Sequence, residues 1–501
     1  MQINMQSTGR SLAKNTIWNS IDKFSGIGIQ MLCTFCMARF LTPSDYGLIG
    51  MLSIFIEISN TLIQSGLGSA LIREKFLSRE DYSTVFWFNL VVSSVLYAVL
   101  YVAAPFIADF YQQEQLTAIC RVSFLVLPIS ALSIVQNTKF QRDLNFKKLS
   151  LLSLSTSILA SFIAICAAFY FRNVWAIVLQ MLVSNILRSS FLWLASDMRP
   201  NFSFSMGVFV KYFKFSKNIL LSSIIGAIFN NINNLLIGRF YTPADLGYYA
   251  QADKMKGVTS YNTSQVIQSV TYPLLSKVNN DGIDLKIMYK KIILTTLLFV
   301  SIIVVLFMTI ACDAFEVLMG SSQWRTSGIY FMILGLNSLL FPLHSINQNI
   351  LLVKGNSRTL LWLEICRRII MIIILLVVVN FSVYFFAAGL SIYSFLLLFL
   401  NLHFCGKPIN YTLSEQLRDI TPILCKQVIV FIIGLCLNFL FSGINVYIWM
   451  IVVLSIGIII EYVLFRKNKY LLMTVSLLPK NKVTDLLKRC LSVTNRMGKY
   501  N

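Results

Sequence analysis

Apolar stretches of about twenty residues recur fourteen times along this chain. They fall at about 16–40, 45–70, 84–108, 116–138, 149–170 and 174–195, then at 218–240, 244–272, 288–312, 326–352, 359–380 and 383–405, and last at 422–442 and 444–465. About 20 mostly apolar residues cross the hydrocarbon of a bilayer as one helix. Backbone polar groups in hydrocarbon must be satisfied internally, and within a single segment only a helix does so. The pattern predicts an all-α membrane protein with fourteen transmembrane helices. Composition agrees: 56% of the residues are hydrophobic and only 13% charged, against about 25% charged in an ordinary soluble chain. So few charges cannot solvate a globule. A soluble domain, a disordered chain and a disulfide scaffold are excluded.

Two polar gaps, Ser196 to Lys217 and Gly406 to Thr421, divide the spans. The expected organisation is a cytoplasmic N-terminus (1–14), a first lobe of six spans (15–200), a second lobe of six (201–405), two further spans (406–466) and a basic cytoplasmic tail (467–501). Met1 to Lys14 is polar, and no short apolar core with a small-residue cleavage site follows it, so no cleaved signal peptide is read. The net charge is +21. With a cytoplasmic N-terminus, most Lys and Arg fall in cytoplasmic segments, among them Lys139, Arg142, Lys147, Lys148, Lys277, Lys286, Lys290 and Lys291. The opposite side holds few: Arg39, Arg121, Arg172, Arg239 and Arg325. That asymmetry orients the chain with both termini cytoplasmic. It also accounts for the charge through anionic inner-leaflet lipid, without nucleic acid. In the tail, Val483, Leu486, Leu487, Cys490 and Leu491 share a helical face flanked by Lys482, Lys488 and Arg489. A surface-lying amphipathic helix and a solvated tail both remain open there.

Metal and redox chemistry find little purchase. The ten cysteines lie mostly inside apolar runs, where Cys behaves as a small hydrophobe. Cys33 and Cys36 have CxxC spacing but sit in an apolar helix. The two histidines, His344 and His403, are far apart in sequence. No metal and no cofactor are expected.

The most specific signal is an internal repeat. Arg39-Phe40-Leu41-Thr42-Pro43-Ser44-Asp45-Tyr46-Gly47 returns as Arg239-Phe240-Tyr241-Thr242-Pro243-Ala244-Asp245-Leu246-Gly247, with six of nine positions identical at an offset of 200. Each copy joins the first and second spans of a six-span block. Flanking echoes support it: Lys14-Asn15 with Lys217-Asn218, and Gln136-Asn137 with Gln348-Asn349. Locally the motif reads as structural. Thr at N-cap, Pro at N1 and Asp at N3 start a helix. Gly permits close packing, and Arg suits the negative pole of the helix before it. An even number of spans gives both copies the same orientation. The blocks are then related by a pseudo-two-fold axis along the membrane normal, with a cavity expected between them, as in alternating-access transporters.

These residues resemble the oligosaccharide flippases of the multidrug/oligosaccharidyl-lipid/polysaccharide exporter superfamily. The features are the Arg-Phe-x-Thr-Pro-x-Asp-x-Gly signature, the fourteen spans and a polar eighth span. Leu246-Gly247-Tyr248-Tyr249-Ala250-Gln251-Ala252-Asp253-Lys254 through Tyr272-Pro273-Leu274-Leu275-Ser276 is similar to the polysaccharide-transport branch, with its colanic-acid and teichuronic-acid exporters. The resemblance covers roughly residues 10 to 470. It implies a bacterial inner-membrane transporter, not an enzyme, with two six-helix lobes and a cationic central cavity. Its substrate would be an undecaprenyl-pyrophosphate-linked oligosaccharide, moved from the inner to the outer leaflet for cell-surface polysaccharide or lipopolysaccharide assembly, with a polysaccharide polymerase as a candidate partner.

Ionisable groups within spans cost at least ~2.5–3.5 kcal/mol each. Those away from span ends are Asp22, Lys23, Glu57, Arg188, Asp253, Lys254 and Lys256; Glu364, Arg367 and Arg368 lie nearer a cytoplasmic end, where snorkelling relieves them. Ser53, Glu57, Asn60 and Gln64 form a polar stripe at i, i+4, i+7 and i+11; Asp253, Ser260 and Ser264 match it at the 200-residue offset. Asn19, Lys23, Gly26 and Gln30 form a third stripe, and the seventh span carries Asn230, Asn231, Asn233 and Asn234. The first two helices of each block are therefore expected to line a shared aqueous cavity. Lys23, Lys254 and Lys256 are candidates for the pyrophosphate, with Arg39 and Arg239 at the outer rim. Gln64, Asn230 and Asn234 suit sugar hydroxyls, which need both donors and acceptors. Structural pairing competes with these roles, Lys256 with Asp253 and Lys23 with Glu57. No Gly-x-x-x-x-Gly-Lys-[Ser/Thr] phosphate loop is present. Glu57, Asp22 and Asp253 are candidates for H⁺ or Na⁺ coupling, against structural ion pairs. A cation-coupled multidrug antiporter and a membrane polymerase or glycosyltransferase are the competing readings. Cavity lysines argue against the first, and short outer loops against the second.

Overall fold

The computed structural model describes Trp18 and residues 24–280, 284–440 and 446–465. The described residues are 89% helical without a strand, so the class is all-α. The N-terminus 1–14, Asn19, Asp22 and Lys23, and the tail 467–501 lie outside the described residues. Eleven helices among those described are long and apolar enough to cross a membrane. Many of their large side chains face outward, as in Val91, Val95, Val99, Val102 and Phe106. An apolar surface of that extent is stable against lipid, not water. Three more helical segments stand where the sequence places its other spans: Phe24–Ala38, Pro243–Asn280 and Ser357–Val378. The chain divides into two compact units, Met1–Ala250 and Gln251–Asn501.

The first unit contains α1 (Phe24–Ala38), α2 (Pro43–Gln64), α3 (Leu67–Arg73), α4 (Arg79–Tyr111), α5 (Leu116–Ser123), α6 (Val126–Arg142), α7 (Phe146–Phe171), α8 (Trp175–Ala195) and α9 (Met206–Phe240). The repeated motif starts helices as its sequence requires. The Asp45 carboxylate accepts from the Thr42 N–H at 2.8 Å and the Thr42 hydroxyl at 2.7 Å. In the second copy Asp245 accepts from the same two groups of Thr242, at 3.3 and 2.7 Å, and returns its own N–H to the Thr242 hydroxyl. The glycines closing the two motifs meet reciprocally. A Cβ on Gly47 would lie 1.7 Å from the Pro243 carbonyl oxygen, and one on Gly247 1.8 Å from that of Pro43. Only glycine lets these two helix starts touch backbone to backbone. Elsewhere the small side chains Ala164, Ala167 and Ala168 of α7 bury against Cys33, Met37, Ala176 and Ile177 of α1 and α8.

Three boundaries differ from the sequence reading. The second span breaks at Ser65 and Gly66, both left-handed, and resumes as α3. The fourth span breaks at Phe124–Leu125, between α5 and α6. The seventh begins at Met206, running through the Lys-rich gap, because that gap is anchored. Tyr212 joins the buried cluster of Leu67, Tyr82, Val85 and Val135, and its hydroxyl donates to Asp81 Oδ1 at 2.8 Å. The approach to α9 is fixed as well, since the N–H groups of Asn201 and Ser205 donate to the Ser83 and Thr84 hydroxyls.

The second unit continues from α10 (Pro243–Lys256), which begins in the first unit, through a π-helical turn (Gly257–Tyr261) into α11 (Asn262–Asn280). It goes on with α12 (Leu285–Met319), α13 (Arg325–Val353), α14 (Ser357–Val378), α15 (Val383–Gly406), α16 (Leu413–Leu440) and α17 (Val446–Phe465). Its core packs Tyr289, Ile293 and Leu297 of α12 against Leu343, Ile346 and Ile350 of α13 and Leu402 of α15. Lys286 and Lys290 pair with Glu415 and Asp419 at 2.7 and 2.6 Å, which ties α12 to α16.

Gly47→Ala and Gly247→Ala should each lower the apparent Tm of the purified protein by a few degrees, from overpacking of about 1–3 kcal/mol. Gly28→Ala has nothing within 4 Å of its new methyl and should be neutral or stabilising, since Ala is the better helix former. Equal Tm values for all three would refute the contact.

Asp81 yields a pH prediction. Burial works against its charge, but hydrogen bonds from the Ser78 N–H, the Ser78 hydroxyl and Tyr212, with the charge of Lys211, outweigh it and hold the carboxyl below its ordinary range. A carboxylate whose folded pKa is depressed stabilises above its unfolded pKa, and that stability is lost as pH falls through the folded value. Asp81→Asn should cost ~1.5–3 kcal/mol near neutral pH. Thermal melts of the two proteins should converge below about pH 4.

Candidate functional site

A cavity of about 840 Å³ lies within the first unit. Ligand sites run to about 1,000 Å³, so this one admits a substantial head group. Its walls come from α2, α3, α6, α8 and α9. α2 and α9 define it. Toward the Gly47 end they touch: Gly238 is closed against Met51 and Tyr111, and Asn234 Nδ2 donates to Ser53 Oγ at 3.1 Å. α9 closes in again on the break between α2 and α3, where Gly66 meets Ser216 and Ile219. Between these contacts Glu57, Asn60 and Gln64 of α2 face the cavity with Asn230, Gly226 and Ser223 of α9.

The opposite wall carries a second polar stripe, Ser130, Ser133, Asn137 and Gln141 of α6. α8 adds Asn185 and Arg188. Among the described lining residues only Glu57 and Arg188 are charged. Arg188 is exposed to the cavity, and its Nη2 reaches Asn137 Oδ1 at 3.4 Å. The site thus offers one guanidinium fork, one carboxylate, and a lining of amides and hydroxyls. A guanidinium binds phosphate bidentately. Amides and hydroxyls bind sugar hydroxyls from both the donor and the acceptor side.

The structure brings together Glu57, Gln64 and Asn230 of the predicted residues. Asn234 bonds to Ser53 and so braces α9 on α2. Arg39 is exposed just past the end of α1. Arg239 sits in the last turn of α9 with its guanidinium 5.3 Å from the Phe110 ring centre. Asp253, Lys254 and Lys256 belong to the second unit. There Lys256 Nζ and Asp253 Oδ1 form an ion pair at 2.5 Å, the structural pairing the sequence offered as an alternative. Lys254 is half-buried. Asp22 and Lys23 lie outside the described residues.

Sequence reasoning missed the α6 wall and gave Arg188 no role. The signal was present, because Ser130, Ser133, Asn137 and Gln141 fall at i, i+3, i+7 and i+11. Serines are common in spans as backbone-bonded residues, and here Ser130 and Ser133 do bond to i−3 carbonyls. The stripe therefore reads as neutral until its neighbours are known.

Residues 36–329, more than half the chain, match the family model described as polysaccharide biosynthesis protein. The chain belongs to that family. It is 22% identical over 355 residues to teichuronic acid biosynthesis protein TuaB of Bacillus subtilis, covering 70% of this chain and 73% of TuaB. It is 23% identical over 272 residues to succinoglycan biosynthesis transport protein ExoT of Rhizobium meliloti, covering 54% and 55% of the two chains. Lipopolysaccharide biosynthesis protein WzxC of Escherichia coli is 21% identical over 292 residues, 56% of this chain and 59% of WzxC. The match thus spans little more than half the length of the last two relatives. Among solved structures, the lipid II flippase MurJ in an inward closed conformation shares the fold with a TM-score of 0.71, at 13% identity, over 90% of this chain and 98% of MurJ. An inward-facing multidrug resistance transporter of the MATE family gives a TM-score of 0.59 at 15% identity, over 76% and 94%.

An aqueous cavity makes a labelling prediction. In a chain stripped of its ten cysteines, Gln64→Cys, Asn137→Cys and Asn230→Cys should react with a small hydrophilic maleimide. The rates should exceed that of the outward-facing Ile373→Cys by about tenfold or more, because thiolate formation needs water. Equal rates would show that the cavity is not wetted.

Proposed function

We propose that the chain is a multi-pass transporter that carries a lipid-linked oligosaccharide from the cytoplasmic to the outer leaflet of the bacterial inner membrane, for surface polysaccharide assembly. The observation that carries this reading is a polar cavity with one exposed arginine among membrane helices, in a member of the polysaccharide biosynthesis family. A pyrophosphate cannot cross hydrocarbon bare, because unpaired buried charge costs many kcal/mol. Arg188 supplies the compensating fork, and the amides of Gln64, Asn137 and Asn230 take the sugar. The names of TuaB, ExoT and WzxC, and the fold shared with MurJ, support the same substrate class.

The finer features belong to the same proposal. All fourteen segments cross the membrane, as two six-span lobes related by an axis along its normal plus two C-terminal spans, with both termini cytoplasmic. The lipid carrier is undecaprenyl pyrophosphate. Lys23, Lys254 and Lys256 join Arg188 along its path, and Arg39 and Arg239 receive the head group at the outer rim. Glu57, Asp22 and Asp253 serve H⁺ or Na⁺ coupling, and a polysaccharide polymerase takes the product.

The deciding experiment is the leaflet location of the lipid-linked oligosaccharide in cells lacking this protein, probed in intact cells with a membrane-impermeant reagent. The oligosaccharide should accumulate beyond the reagent's reach, and the wild-type gene should restore exposure. Arg188→Ala at normal protein level should reduce exposure about tenfold or more, with Arg188→Lys intermediate because a point charge replaces the fork. Lys254→Ala and Lys256→Ala should each reduce it as well. Unchanged exposure in the deletion would reject the reading and turn attention to drug efflux or to polymer chain length.

A further inference from the structure

The segment that joins α8 to α9 is polar and basic by sequence, yet it turns large apolar side chains outward. Phe202 is 96% exposed, and Phe204, Met206 and Val210 are more than half exposed. Hydrogen bonds hold the segment against α4. Trp87 Nε1 donates to the Asn201 carbonyl at 2.8 Å, and the N–H groups of Asn201 and Ser205 donate to the Ser83 and Thr84 hydroxyls at 2.9 and 3.2 Å. The Phe202 ring centre lies 5.1 Å from that of Trp87. Trp87 opens the stripe that α4 turns outward, which continues through Val91, Val95, Val99, Val102 and Phe106 at helical spacing. Phe202 therefore extends the surface that α4 gives to lipid.

α9 enters at the same level. The Phe209 and Phe88 ring centres are 4.7 Å apart, while Tyr212 bonds to Asp81, two turns nearer the start of α4. Three residues forward along α9 thus correspond to seven residues back along α4, so the first turns of α9 cross α4 obliquely. On α9, Met206, Val210, Lys214, Lys217 and Leu221 are all exposed and fall at i, i+4, i+8, i+11 and i+15. They lie on the side opposite the cavity-lining Ile219, Ser223 and Gly226. Two lysines therefore interrupt an apolar stripe turned outward. Neither forms an ion pair among the described residues, and Glu74 is taken by Lys211 at 3.1 Å. From Ser196 to Lys217 the chain carries four bases, Arg199, Lys211, Lys214 and Lys217, against the single acid Asp197.

We propose that residues 201–217 form an interfacial foot that binds anionic phospholipid of the cytoplasmic leaflet. Phe202, Phe204, Met206 and Val210 enter the boundary between head groups and acyl chains, where aromatic and apolar side chains flanked by bases settle. Lys214 and Lys217 lay their stems along the apolar stripe and hold their ammonium groups among the lipid phosphates. Irregular backbone is stable at that depth only when its polar groups are satisfied, and Trp87, Ser83 and Thr84 do this for Asn201 and Ser205. The excess of bases selects anionic over zwitterionic lipid, by about fivefold for each lysine close to the surface. Only the membrane orientation is shared with the flippase reading, and lipid binding at this foot stands or falls without transport.

In the full-length chain stripped of its ten cysteines, Phe202→Cys or Met206→Cys can carry a bimane label in lipid nanodiscs. Met206 provides a second probe that leaves the stack on Trp87 intact. Lipid brominated near the top of its acyl chains should quench both labels, and aqueous iodide should leave both nearly unchanged. A label at Glu80→Cys, exposed and two turns before Trp87 on α4, should show the reverse. Nanodiscs of equal parts phosphatidylglycerol and phosphatidylethanolamine, brominated on one species at a time, read the preference. Bromine on phosphatidylglycerol should quench about threefold more strongly or better. Lys214→Gln with Lys217→Gln, both at exposed positions, should bring the two lipids to parity. Labels at 202 and 206 quenched by iodide and not by brominated lipid would put the segment in water, as a docking face for a soluble partner, and overturn the foot. Equal quenching by the two lipids with both lysines present, or a preference that survives their removal, would overturn the anionic-lipid assignment. Neither readout involves transport, so a failed flippase reading leaves both outcomes decisive.

Discussion

Two proline carbonyls and two glycines govern the first unit. Gly47 lies on Pro243 and Gly247 on Pro43, each pair closer than any side chain permits. Lipid supplies no hydrophobic drive between helices, so association rests on packing and polar contacts. A backbone contact made in both directions is therefore a strong constraint. From it α2 and α9 run together through Gly238 on Met51 and Asn234 on Ser53 before parting around the cavity. The cavity depends on that contact, because side chains at both glycines would drive the two helix starts apart and widen the gap along its whole length.

Hydropathy made the spans legible, because hydrocarbon leaves a chain few alternatives to helix. The repeated motif made its own geometry legible too: Thr42 with Asp45 and Thr242 with Asp245 form the hydrogen bonds their spacing implies. What stayed hidden was long-range. No local pattern says that the two copies of the motif rest on each other. None says that Tyr212, deep in a Lys-rich gap, is held by an aspartate 131 positions earlier. The break after Gln64 was hidden for the opposite reason. Ser65 and Gly66 are unremarkable in a span, and only their left-handed backbone shows that the helix stops there.

The candidate site was half legible for a related reason. Glu57, Gln64 and Asn230 stood out because acids and amides are expensive in lipid. Arg188 stood out equally, but its neighbours on α6 looked ordinary, and a charge without visible company suggests no function. The lysines of the eighth span attracted a binding role through the same expense. For Lys256 the cost is met within its own helix by Asp253. Expense marks where compensation must exist, and the packing decides whether a partner or a cavity supplies it.

The two units meet that demand in opposite ways. In the first, Gln64, Asn137, Asn230 and Arg188 turn toward open space, where water or a ligand completes their hydrogen bonds. In the second, polar side chains bond to one another: His344 with Asn401 and Ser394, Arg367 with Glu364, Tyr289 with Asn347, and Gln427 with Glu461. The echoed pairs Gln136-Asn137 and Gln348-Asn349 mark the divergence. Asn137 reaches an arginine that lines a cavity, while Gln348 reaches a glutamate already held by an arginine. A polar group facing open space binds whatever enters it. A polar group held by other side chains can change only by exchanging partners. The cost of a polar group in hydrocarbon is thus met by an opening in one unit and by side-chain partners in the other.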